Sequence, residues 1–589
     1  MKYLLQPGNP PARWRTADTA GSERLAASLG IEPVTARILT GRGLAQPADA
    51  RRFLAPSLDD LHDPFLMTGM RQAVDRLLLA IRLNERILIY GDYDVDGTTS
   101  IVILRKAIEL AGGAADFHVP HRLRDGYGMR AEVMEHAAAA GVQLVISVDT
   151  GIRAAEAVAR GMEAGIDVIV TDHHLPEAEL PPALAVLNPQ QPDCRYPEKN
   201  LCGVGVVFKL VQALLETRGW PKEKLRRVLE SFLKLVAIGT VADVVPLTGE
   251  NRVIVKHGLA GMHTVKNLGL RELLRVASLP EGVAPTAEQV AFRVAPRINA
   301  AGRMATANDV IELFTTADPA RAKQLAELLH DLNADRRQTE AEIVRSILEE
   351  CEREPVTGEQ ASLVFAGEGW HRGVLGIVAA RLVERFYRPA LVLGIENGVA
   401  QGSGRSIEAF HLLEALESMP DLFTKFGGHK HAAGLTMASQ RVDEFRARLN
   451  EYSRRMLTPD DLIPVLRADT AVHLAELNAK AIDEVLSLAP FGHSNEQPVF
   501  ICEGAEIASE PAVMKEKHLR LNVRQQGRTM AMKAWNAAEL APGLQPGQRV
   551  DLAFRVEEDQ YSLSRGYPGW SCTLVDFRQS IAASSGTGG

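Results

Sequence analysis

Three carboxylates are crowded into residues 91–97, which read Gly-Asp-Tyr-Asp-Val-Asp-Gly. They are Asp92, Asp94 and Asp96. The apolar run 86–90 just before them predicts a buried strand. Carboxylates this close repel one another, and a divalent cation is the usual partner that holds them together. An EF-hand calcium loop starts with the same spacing, but its twelfth position is Ile103 instead of a bidentate Glu, and a strand precedes it instead of a helix. The segment therefore predicts a catalytic metal site.

Acidic or imidazole side chains also follow three later apolar runs. The run 142–148 precedes Asp149, the run 166–170 leads into Asp172, His173 and His174, and the run 235–242 precedes Asp243. Helix-like segments separate the first of these elements, at about 98–110, 131–139 and 154–164. Strands alternating with helices predict a parallel, doubly wound sheet, which collects its ligands at the carboxyl ends of the strands. We therefore expect these side chains to converge on one crevice.

Each of these features has an ordinary structural explanation when taken alone. A pair of adjacent histidines is more often a surface feature than a ligand set. An Asp that closes a strand is commonly a helix N-cap, and Asp149 before Thr150 and Gly151 fits that role. Four such groups on successive elements favour a metal centre instead. Oxygen ligands with one or two imidazoles suit Mn²⁺ or Mg²⁺, and the scarcity of cysteine argues against a thiolate zinc site.

The four segments resemble the ordered motifs of the DHH phosphoesterase superfamily. The matching stretches are residues 92–97, 148–151, 171–174 and 239–247. Further segments are similar to the RecJ family of single-strand-specific 5′→3′ exonucleases within that superfamily. These are an arginine-bearing loop at 121–128, a linker motif at 297–303, two stretches of a DHH-associated domain at 402–406 and 427–434, and the entry to an OB-fold at 490–495. The resemblance runs from about residue 61 to about residue 577.

The resemblance implies roles for individual residues of the centre. It implies metal ligation by Asp94, Asp96, Asp149, His173 and Asp243, with Asp149 bridging two ions. Asp92 is either a further ligand or a partner of one. Asp172 is expected to orient a ligand, His174 to hydrogen-bond the scissile phosphate, and Arg303 to help neutralise the charge of the phosphate. Arg122 lies on the arginine-bearing loop at the edge of the same domain.

Glycine-rich turns mark a second candidate site, at 402–405 and 427–429. Turns of this kind let backbone N–H groups approach an anion closely, and Arg405 adds a fork of donors suited to phosphate. Such turns are also common without any ligand. With the resemblance, we expect Ser403, Arg405 and His429 to receive a 5′ terminus. Residues 370–373, which precede a predicted helix at 374–387, are a weaker anion-site candidate.

A net charge of −8 does not exclude a nucleic-acid enzyme, because binding depends on local patches. One basic segment, 511–533, carries six cations against the single acid Glu516. The cations are Lys515, Lys517, Arg520, Arg524, Arg528 and Lys533. Their alternation with apolar residues predicts strands, and a basic β surface suits a phosphate backbone. The solvated outer face of a small barrel shows the same pattern, so the residues alone leave both interpretations open.

The breaks in the pattern predict an α/β multi-domain chain. The expected regions are a helical lead-in at 1–60, a parallel-sheet DHH domain at 61–247, a helical connector at 248–356 with an exposed charged helix near 319–351, a DHH-associated α/β domain at 357–457, an OB-like β-barrel at 458–577 and a disordered tail at 578–589. The chain has no apolar stretch near 18 residues and no secretory leader, and its five scattered cysteines suit a reducing cytoplasm.

The resemblance implies a metal-dependent exonuclease that digests single-stranded DNA from the 5′ end in repair and recombination, with two Mn²⁺ or Mg²⁺ ions. It further implies a monomer whose partners are single-stranded-DNA-binding protein and a RecQ-type helicase. One alternative is a DHH phosphodiesterase acting on oligoribonucleotides or cyclic dinucleotides, although such enzymes usually lack the long connector and the OB-like region. Another is a non-catalytic DHH scaffold, although such relatives have lost ligands that this chain retains.

Overall fold

The computed structural model describes residues 11–122, 124–126 and 128–580 of the 589-residue chain. The chain divides into two units, each with its own core, and each is described by itself. The first unit consists of Ala55–Arg337 and Ala489–Glu496. The second unit consists of Met1–Leu54, Gln338–Leu488 and Gln497–Gly589.

A five-stranded parallel sheet forms the centre of the first unit, as the sequence predicts. Its strands are β1 (Ile87–Gly91), β2 (Ala115–His118), β3 (Leu144–Val148), β4 (Asp167–Thr171) and β5 (Ala185–Leu187). They lie in the order β2-β1-β3-β4-β5. The chain leaves β1 toward one edge and returns to the other side of it at β3. This reversal opens a crevice beyond the carboxyl ends of β1 and β3, where ligands of doubly wound sheets bind.

Helices cover the sheet of the first unit. They are Met70–Leu83, Val95–Leu110, Ala131–Ala139, Ala155–Glu163, Gly203–Thr217, Lys222–Ala242, Gly249–Gly261, Leu268–Val276, Ala287–Gln289, Ala295–Met304 and Asn308–Thr315, with a π-helical turn at Val290–Val294. The apolar run before Asp243 is the end of the helix Lys222–Ala242 and not a strand like the other three runs. The apolar pattern of a run this short is compatible with a buried strand and with a buried helix alike. In the structure, the run packs into the core of the first unit as part of a helix.

The long charged helix of the connector spans Pro319–Arg353. Its residues up to Arg337 belong to the first unit and the remainder to the second. The prediction of an exposed spacer was partly wrong, because each portion buries apolar side chains in the core of its own unit. Leu325 and Leu329 are buried in the first unit, and Ile343 and Ile347 in the second.

The second unit contains the predicted second α/β domain. Its sheet strands, from one edge to the other, are Lys425–Gly428, Ala432–Ala438, Val399–Arg405, Ala390–Glu396 and Leu363–Glu368. Only the last two run parallel, and the other neighbours are antiparallel. The helices of this domain are Leu375–Phe386, Leu412–Glu417 and Val442–Met456.

The same unit contains the predicted OB-like barrel. Five of its strands close on themselves, in the order Phe500–Ile507, Arg549–Glu558, Trp570–Gln579, Arg528–Ala534 and His518–Gln525, which pairs back with the first. Short strands at Thr470–Ala471 and Ala512–Met514 extend the sheet, and helices lie at Ala479–Ser487 and Gln560–Ser564. The C-terminal OB-like barrel is therefore confirmed.

The two ends of the described chain differ from the sequence-based expectation. The lead-in has the expected helices, Ser22–Leu29, Pro33–Gly41 and Pro47–Leu54, but it starts with a strand, Arg13–Thr16, that pairs in parallel with Val465–Ala468. The last strand runs to Gln579, and Ser580 Oγ lies 2.6 Å from Asp551 Oδ1. The prediction of a disordered tail from residue 578 onward was therefore wrong for residues 578–580. The remaining residues of the predicted tail, 581–589, lie outside the described residues.

Candidate metal centre

The first carboxylate cluster is formed by the turn between β1 and the helix Val95–Leu110. Asp94 is the N-cap of this helix, and its Oδ1 accepts a hydrogen bond of 3.0 Å from the Gly97 amide. Gly97 cannot be replaced by a larger residue without a shift, because a Cβ there would lie 2.5 Å from the carbonyl oxygen of Asp92. The tight turn therefore holds the side chains of Asp92 and Asp96 in the interior, both more than nine-tenths buried.

The carboxylate of Asp96 is held by a second helix. Its two oxygens accept hydrogen bonds from the backbone amides of Gly203 (2.6 Å) and Val204 (2.7 Å), at the start of the helix Gly203–Thr217. The positive end of a helix stabilises a carboxylate placed there. Gly203 also packs against a fourth carboxylate, that of Asp149, since a Cβ on Gly203 would lie 2.7 Å from Asp149 Oδ1.

Asp149 follows β3 in a left-handed backbone conformation with φ of 59°. Its amide donates to the Thr171 carbonyl at 3.0 Å, which continues the pairing of β3 with β4. This conformation is unusual for a residue with a Cβ, and such outliers concentrate at functional sites. N-capping, the ordinary explanation of an Asp in this position, does not apply, because the next helix begins only at Ala155, with Ala154 as its cap.

The imidazole of His173 lies at the centre of the cluster. Its Nε2 is 3.3 Å from Asp149 Oδ1, 3.7 Å from Asp243 Oδ2 and 3.9 Å from Asp96 Oδ2. Asp243 reaches the cluster as the C-cap residue of the helix Lys222–Ala242. Strand ends and a helix end thus bring together residues that are far apart in the sequence.

Three sets of side chains have ligand atoms within 4.8 Å of one another. The sets are Asp92, Asp94 and Asp149; Asp96, His173 and Asp243; and Asp149, His173 and His174. In the described part of the chain, the buried atoms Asp92 Oδ1 and His173 Nε2 have no hydrogen-bond partner. Buried polar atoms without a partner are costly, and cations bound by the sets to which Asp92 and His173 belong would satisfy them. The donor set therefore fits a hard divalent metal.

The titration behaviour of the cluster supports the same conclusion. Burial, followed by the charges of the neighbouring carboxylates, raises the pKa of Asp92 and of Asp149 well above the usual range. The same causes raise the pKa of Asp96 to about 7 and that of Asp243 to about 9. Burial and the neighbouring His174 lower the pKa of His173 to about 4, so its imidazole is neutral, as a metal ligand must be.

Asp172, like Asp96, has both of its carboxylate oxygens occupied by hydrogen bonds from within the protein. Oδ1 accepts from the amides of His173 (2.7 Å) and His174 (3.1 Å) and lies 2.7 Å from His174 Nδ1, while Oδ2 accepts from the Ile152 amide. Burial acts to lower the pKa of His174, but its hydrogen bond to Asp172 and the charge of that carboxylate raise it overall. Asp172 thus orients the His174 ring and the backbone around His173.

The connector contacts the metal loop directly. Asn299 Oδ1 accepts a hydrogen bond of 3.3 Å from the Val95 amide, and a Cβ on Gly302 would lie 2.7 Å from the Tyr93 carbonyl oxygen. Arg303, the next residue, and Arg122, whose guanidinium lies 5.0 Å from the centre of the Tyr93 ring, both act electrostatically on Tyr93. Positive charge therefore lies next to the carboxylates, as phosphate binding requires.

A cavity of about 370 Å³ opens beside this loop. Tyr93, His118, Arg122 and Arg124 are among the residues that line it. Of these residues, only Arg122 was predicted from the sequence as a phosphate contact. The roles of the Gly203 and Val204 amides and of the Asn299 side chain were not predicted. Asn299 belongs to the linker motif at 297–303, so the sequence marked the residue, but it did not predict that its side chain contacts the metal loop.

In the second unit, the structure brings Arg405 to the start of a helix. A Cβ on Gly376, in the first turn of the helix Leu375–Phe386, would lie 2.9 Å from Arg405 Nη2. Ser403 lies on the same strand, paired with Gly434 of its neighbour. His429 is exposed at the turn that follows the neighbouring strand Lys425–Gly428. A guanidinium beside the first turn of a helix is suited to an anion.

The predicted basic face is present on the barrel. Lys515, Lys517, Arg520 and Arg524 are exposed, and buried Leu519, Leu521 and Val523 alternate with the last two. Arg524 forms an ion pair of 2.7 Å with Glu506, so part of its charge is compensated within the barrel. None of the described helices is long and apolar enough to cross a membrane.

The fold and the carboxylate–imidazole cluster define a DHH phosphoesterase. The DHH family N-terminal domain matches residues 86–240, the DHHA1 domain matches 359–455, and the RecJ OB domain matches 468–566. The chain belongs to the RecJ family of hydrolytic exonucleases. The matched ranges fall inside the predicted domains, whose outer bounds stay predictions.

Two curated relatives are each named single-stranded-DNA-specific exonuclease RecJ. The chain is 38% identical over 555 residues to that of Bacillus subtilis, covering 93% of this chain and 69% of the relative. It is 34% identical over 514 residues to that of Escherichia coli, covering 84% of this chain and 87% of the relative. A crystal structure of RecJ in complex with Mn²⁺ from Thermus thermophilus matches with a TM-score of 0.81 at 32% identity, covering 97% of this chain and 80% of that chain.

Proposed function

We propose that this chain degrades single-stranded DNA from the 5′ end by hydrolysis that depends on two Mn²⁺ or Mg²⁺ ions, releasing 5′-mononucleotides. The observation that carries the proposal is the cluster of five carboxylates, three of them buried, together with the neutral imidazole of His173. A substrate with negative charge cannot approach such a cluster until cations compensate it. The names of the relatives support single-stranded DNA as the substrate.

We assign one ion to Asp92, Asp94 and Asp149 and the other to Asp96, His173 and Asp243. Asp149 would contribute to both sites, because it belongs to the first set and its Oδ1 lies 3.3 Å from His173 Nε2. When bound, the ions activate water and neutralise charge on the phosphate. The Mn²⁺ and Mg²⁺ in structures of the Thermus thermophilus relative support the choice of metal.

The side chains around the cluster orient the phosphate. His174, whose Nδ1 is held by Asp172, presents its Nε2 as a hydrogen-bond donor to a non-bridging oxygen of the scissile phosphate. The raised pKa of His174 favours the protonated ring that such a contact uses. Arg303 and Arg122 add positive charge close to Tyr93, and fixed charges of this kind stabilise charge that develops in the transition state.

The second unit supplies the remaining DNA contacts in this proposal. Ser403, Arg405 and His429 receive the 5′-terminal phosphate. Support comes from the position of the Arg405 guanidinium at the first turn of the helix Leu375–Phe386. Lys515, Lys517, Arg520 and Arg524 contact the backbone of the strand farther from the cleaved end, where exposed cations suit a phosphate chain.

A single-stranded 30-mer labelled separately at each end tests the proposal. With Mn²⁺ or Mg²⁺, a 5′ label should leave at once as a mononucleotide, while a 3′ label should shorten progressively. Asp149→Asn is the matched inactive control. Early release of the 3′ label would contradict the polarity, and internal fragments would contradict exonucleolytic action. Faster turnover of RNA dinucleotides than of the 30-mer would favour the oligoribonucleotide phosphodiesterase instead.

We further propose that the enzyme works in the cytoplasm as a monomer, in DNA repair and recombination, with single-stranded-DNA-binding protein and a RecQ-type helicase. The family resemblance carries this proposal. Light scattering of the purified protein measures the oligomeric state, and a mass near twice 64.1 kDa would contradict the monomer. Equal digestion rates with and without each partner would contradict the partnerships.

A further inference from the structure

An exposed tryptophan lies on the outer surface of the barrel. Trp535 follows the strand Arg528–Ala534 and is 50% exposed. Because Leu519 pairs with Ala534, the next residues along, His518 and Trp535, lie opposite each other. Their ring centroids are 4.8 Å apart at an interplanar angle of 79°, and His518 Nδ1 accepts a hydrogen bond of 3.0 Å from the Asn536 amide. His518 is therefore held in place and supports the indole.

Trp535 lies on the same face of the barrel as Arg520 and Lys533. Side chains alternate along a strand, so His518 and Arg520 point away from buried Leu519, and Arg520 pairs directly with Lys533 of the neighbouring strand. Lys533 is compensated by Asp559 at 2.6 Å. Arg520, and Lys517 in the turn just before this strand, form no ion pair with any residue that the structure describes. This face thus combines an exposed aromatic ring with uncompensated positive charge.

We propose that Trp535 stacks on a nucleobase of the bound single strand, whose backbone follows Lys517 and Arg520. The inference rests on the proposed function and extends it by naming a residue that contacts a base. An exposed indole alone would suit any apolar partner, but cations beside it select a polyanion. Every base has a flat face, so the contact is independent of sequence. In a duplex these faces are covered by neighbouring base pairs, so the contact also favours single strands.

The test separates base contacts from phosphate contacts. Binding is measured in EDTA, to prevent cleavage, with an oligothymidine 20-mer and with a 20-mer of the same charge made of abasic units. The Trp535→Leu variant should lose about tenfold in affinity for oligothymidine and almost nothing for the abasic chain. Trp535→Phe, which keeps an aromatic ring, should retain most of the affinity. The matched control is Tyr567→Ala, another exposed aromatic residue, which should bind like the wild type.

Salt dependence gives a second, independent readout. Trp535→Leu should leave the slope of log K against log salt unchanged. Lys517→Gln and Arg520→Gln should each reduce this slope by about 0.7, both for oligothymidine and for the abasic oligomer. Equal losses on oligothymidine and on the abasic chain, or no loss on either, would overturn the proposal. Digestion of oligothymidine by the wild type with Mn²⁺ is measured separately. Its absence would reject the proposed exonuclease, whatever the binding data for Trp535 show.

Discussion

The side chain of Asn299 accepts a hydrogen bond from the backbone amide of Val95. The connector helix Ala295–Met304 is thereby linked to the first turn of the helix that carries Asp96. The close approach of Gly302 to the Tyr93 carbonyl reinforces this contact. The connector is therefore part of the support of the metal loop as well as a link between two parts of the chain.

Asn299→Ala should weaken Mn²⁺ binding by about tenfold, because residues that support metal ligands affect affinity on this scale. Calorimetry of the metal-free protein measures the affinity directly, without relying on activity. Asn267→Ala is the matched control, since Asn267 caps the helix Leu268–Val276 of the same unit. It should cost about 1 kcal/mol of stability and leave the affinity for Mn²⁺ unchanged. Equal effects of the two substitutions on metal affinity would contradict a supporting role for Asn299.

Asp149→Ala should abolish cleavage and leave the protein folded. The bridging carboxylate holds both ions in the proposed centre, so its loss disables the arrangement as a whole. Circular dichroism and the melting temperature check the fold, and single-strand digestion at saturating Mn²⁺ gives the rate. A variant that keeps more than about a tenth of the wild-type rate, a barrier difference below about 1.4 kcal/mol, would show that Asp149 is not the bridge.

The metal-free protein should become less stable as the pH rises from about 4 to about 9. Folding raises the pKa of Asp96 to about 7 and that of Asp243 to about 9, so the folded state holds more protons than the unfolded state. The stability associated with these protons is complete below the unfolded pKa near 4 and is lost as the pH passes the folded values. Melting temperatures of the protein in EDTA, measured across this range, check the trend.

Asp149→Asn isolates the contribution of the cluster from that of other titrating groups. This substitution removes one of the mutually repelling charges, so the metal-free variant should have a higher melting temperature than the metal-free wild type. The difference in melting temperature should be larger at pH 8 than at pH 5. Saturating Mn²⁺ should reverse the order at pH 8, because the wild type then gains more from the ions. A difference between the two proteins that stays constant with pH would contradict the crowding of charge.

Sequence patterns predicted the part of the centre that lies on strands. The ends of β1, β3 and β4 were identified because a short apolar run followed by a polar group is a local signal, and parallel strands deliver such groups to one edge. Asp243 was identified by the same pattern and by resemblance, although the apolar run before it is the end of a helix. The residue was therefore found without its structural context.

Contacts between distant segments were not visible in the sequence. The amides of Gly203 and Val204 donate hydrogen bonds to Asp96, which is more than 100 residues away in the sequence. No local sequence pattern predicts which carboxylate will bind at the start of a given helix. Arg524 was predicted to contact DNA from its place in a basic run, but its ion pair with Glu506 depends on strand pairing within the barrel. Pairing and packing decide such partners, and they exist only in the folded chain.

Neutralising Lys517 and Arg520 together should weaken binding to long single strands and flatten its salt dependence. Each lost phosphate contact lowers the slope of log K against log salt by about 0.7, so the pair should lower it by about 1.4. Arg524→Gln should change the slope less than either, because Glu506 already compensates its charge. Titrations at several salt concentrations measure this. A KM that rises equally for trinucleotides and for 30-mers would place both residues near the cleaved end instead.

Arg405→Ala should raise the KM for 5′-phosphorylated strands more than the KM for strands with a 5′-hydroxyl. Only the phosphorylated end carries the terminal charge that a guanidinium beside a helix start can pair with, through hydrogen bonds stronger than those to a neutral group. Steady-state kinetics on oligonucleotides that differ only in the 5′ group measure the ratio. Arg441→Ala is the control, because Arg441 of the same unit is engaged by Asp421 and Glu444 and should leave the ratio unchanged. Equal losses on both ends in Arg405→Ala would show that Arg405 does not read the terminal phosphate, and the 5′ site would then have to be sought around Arg122.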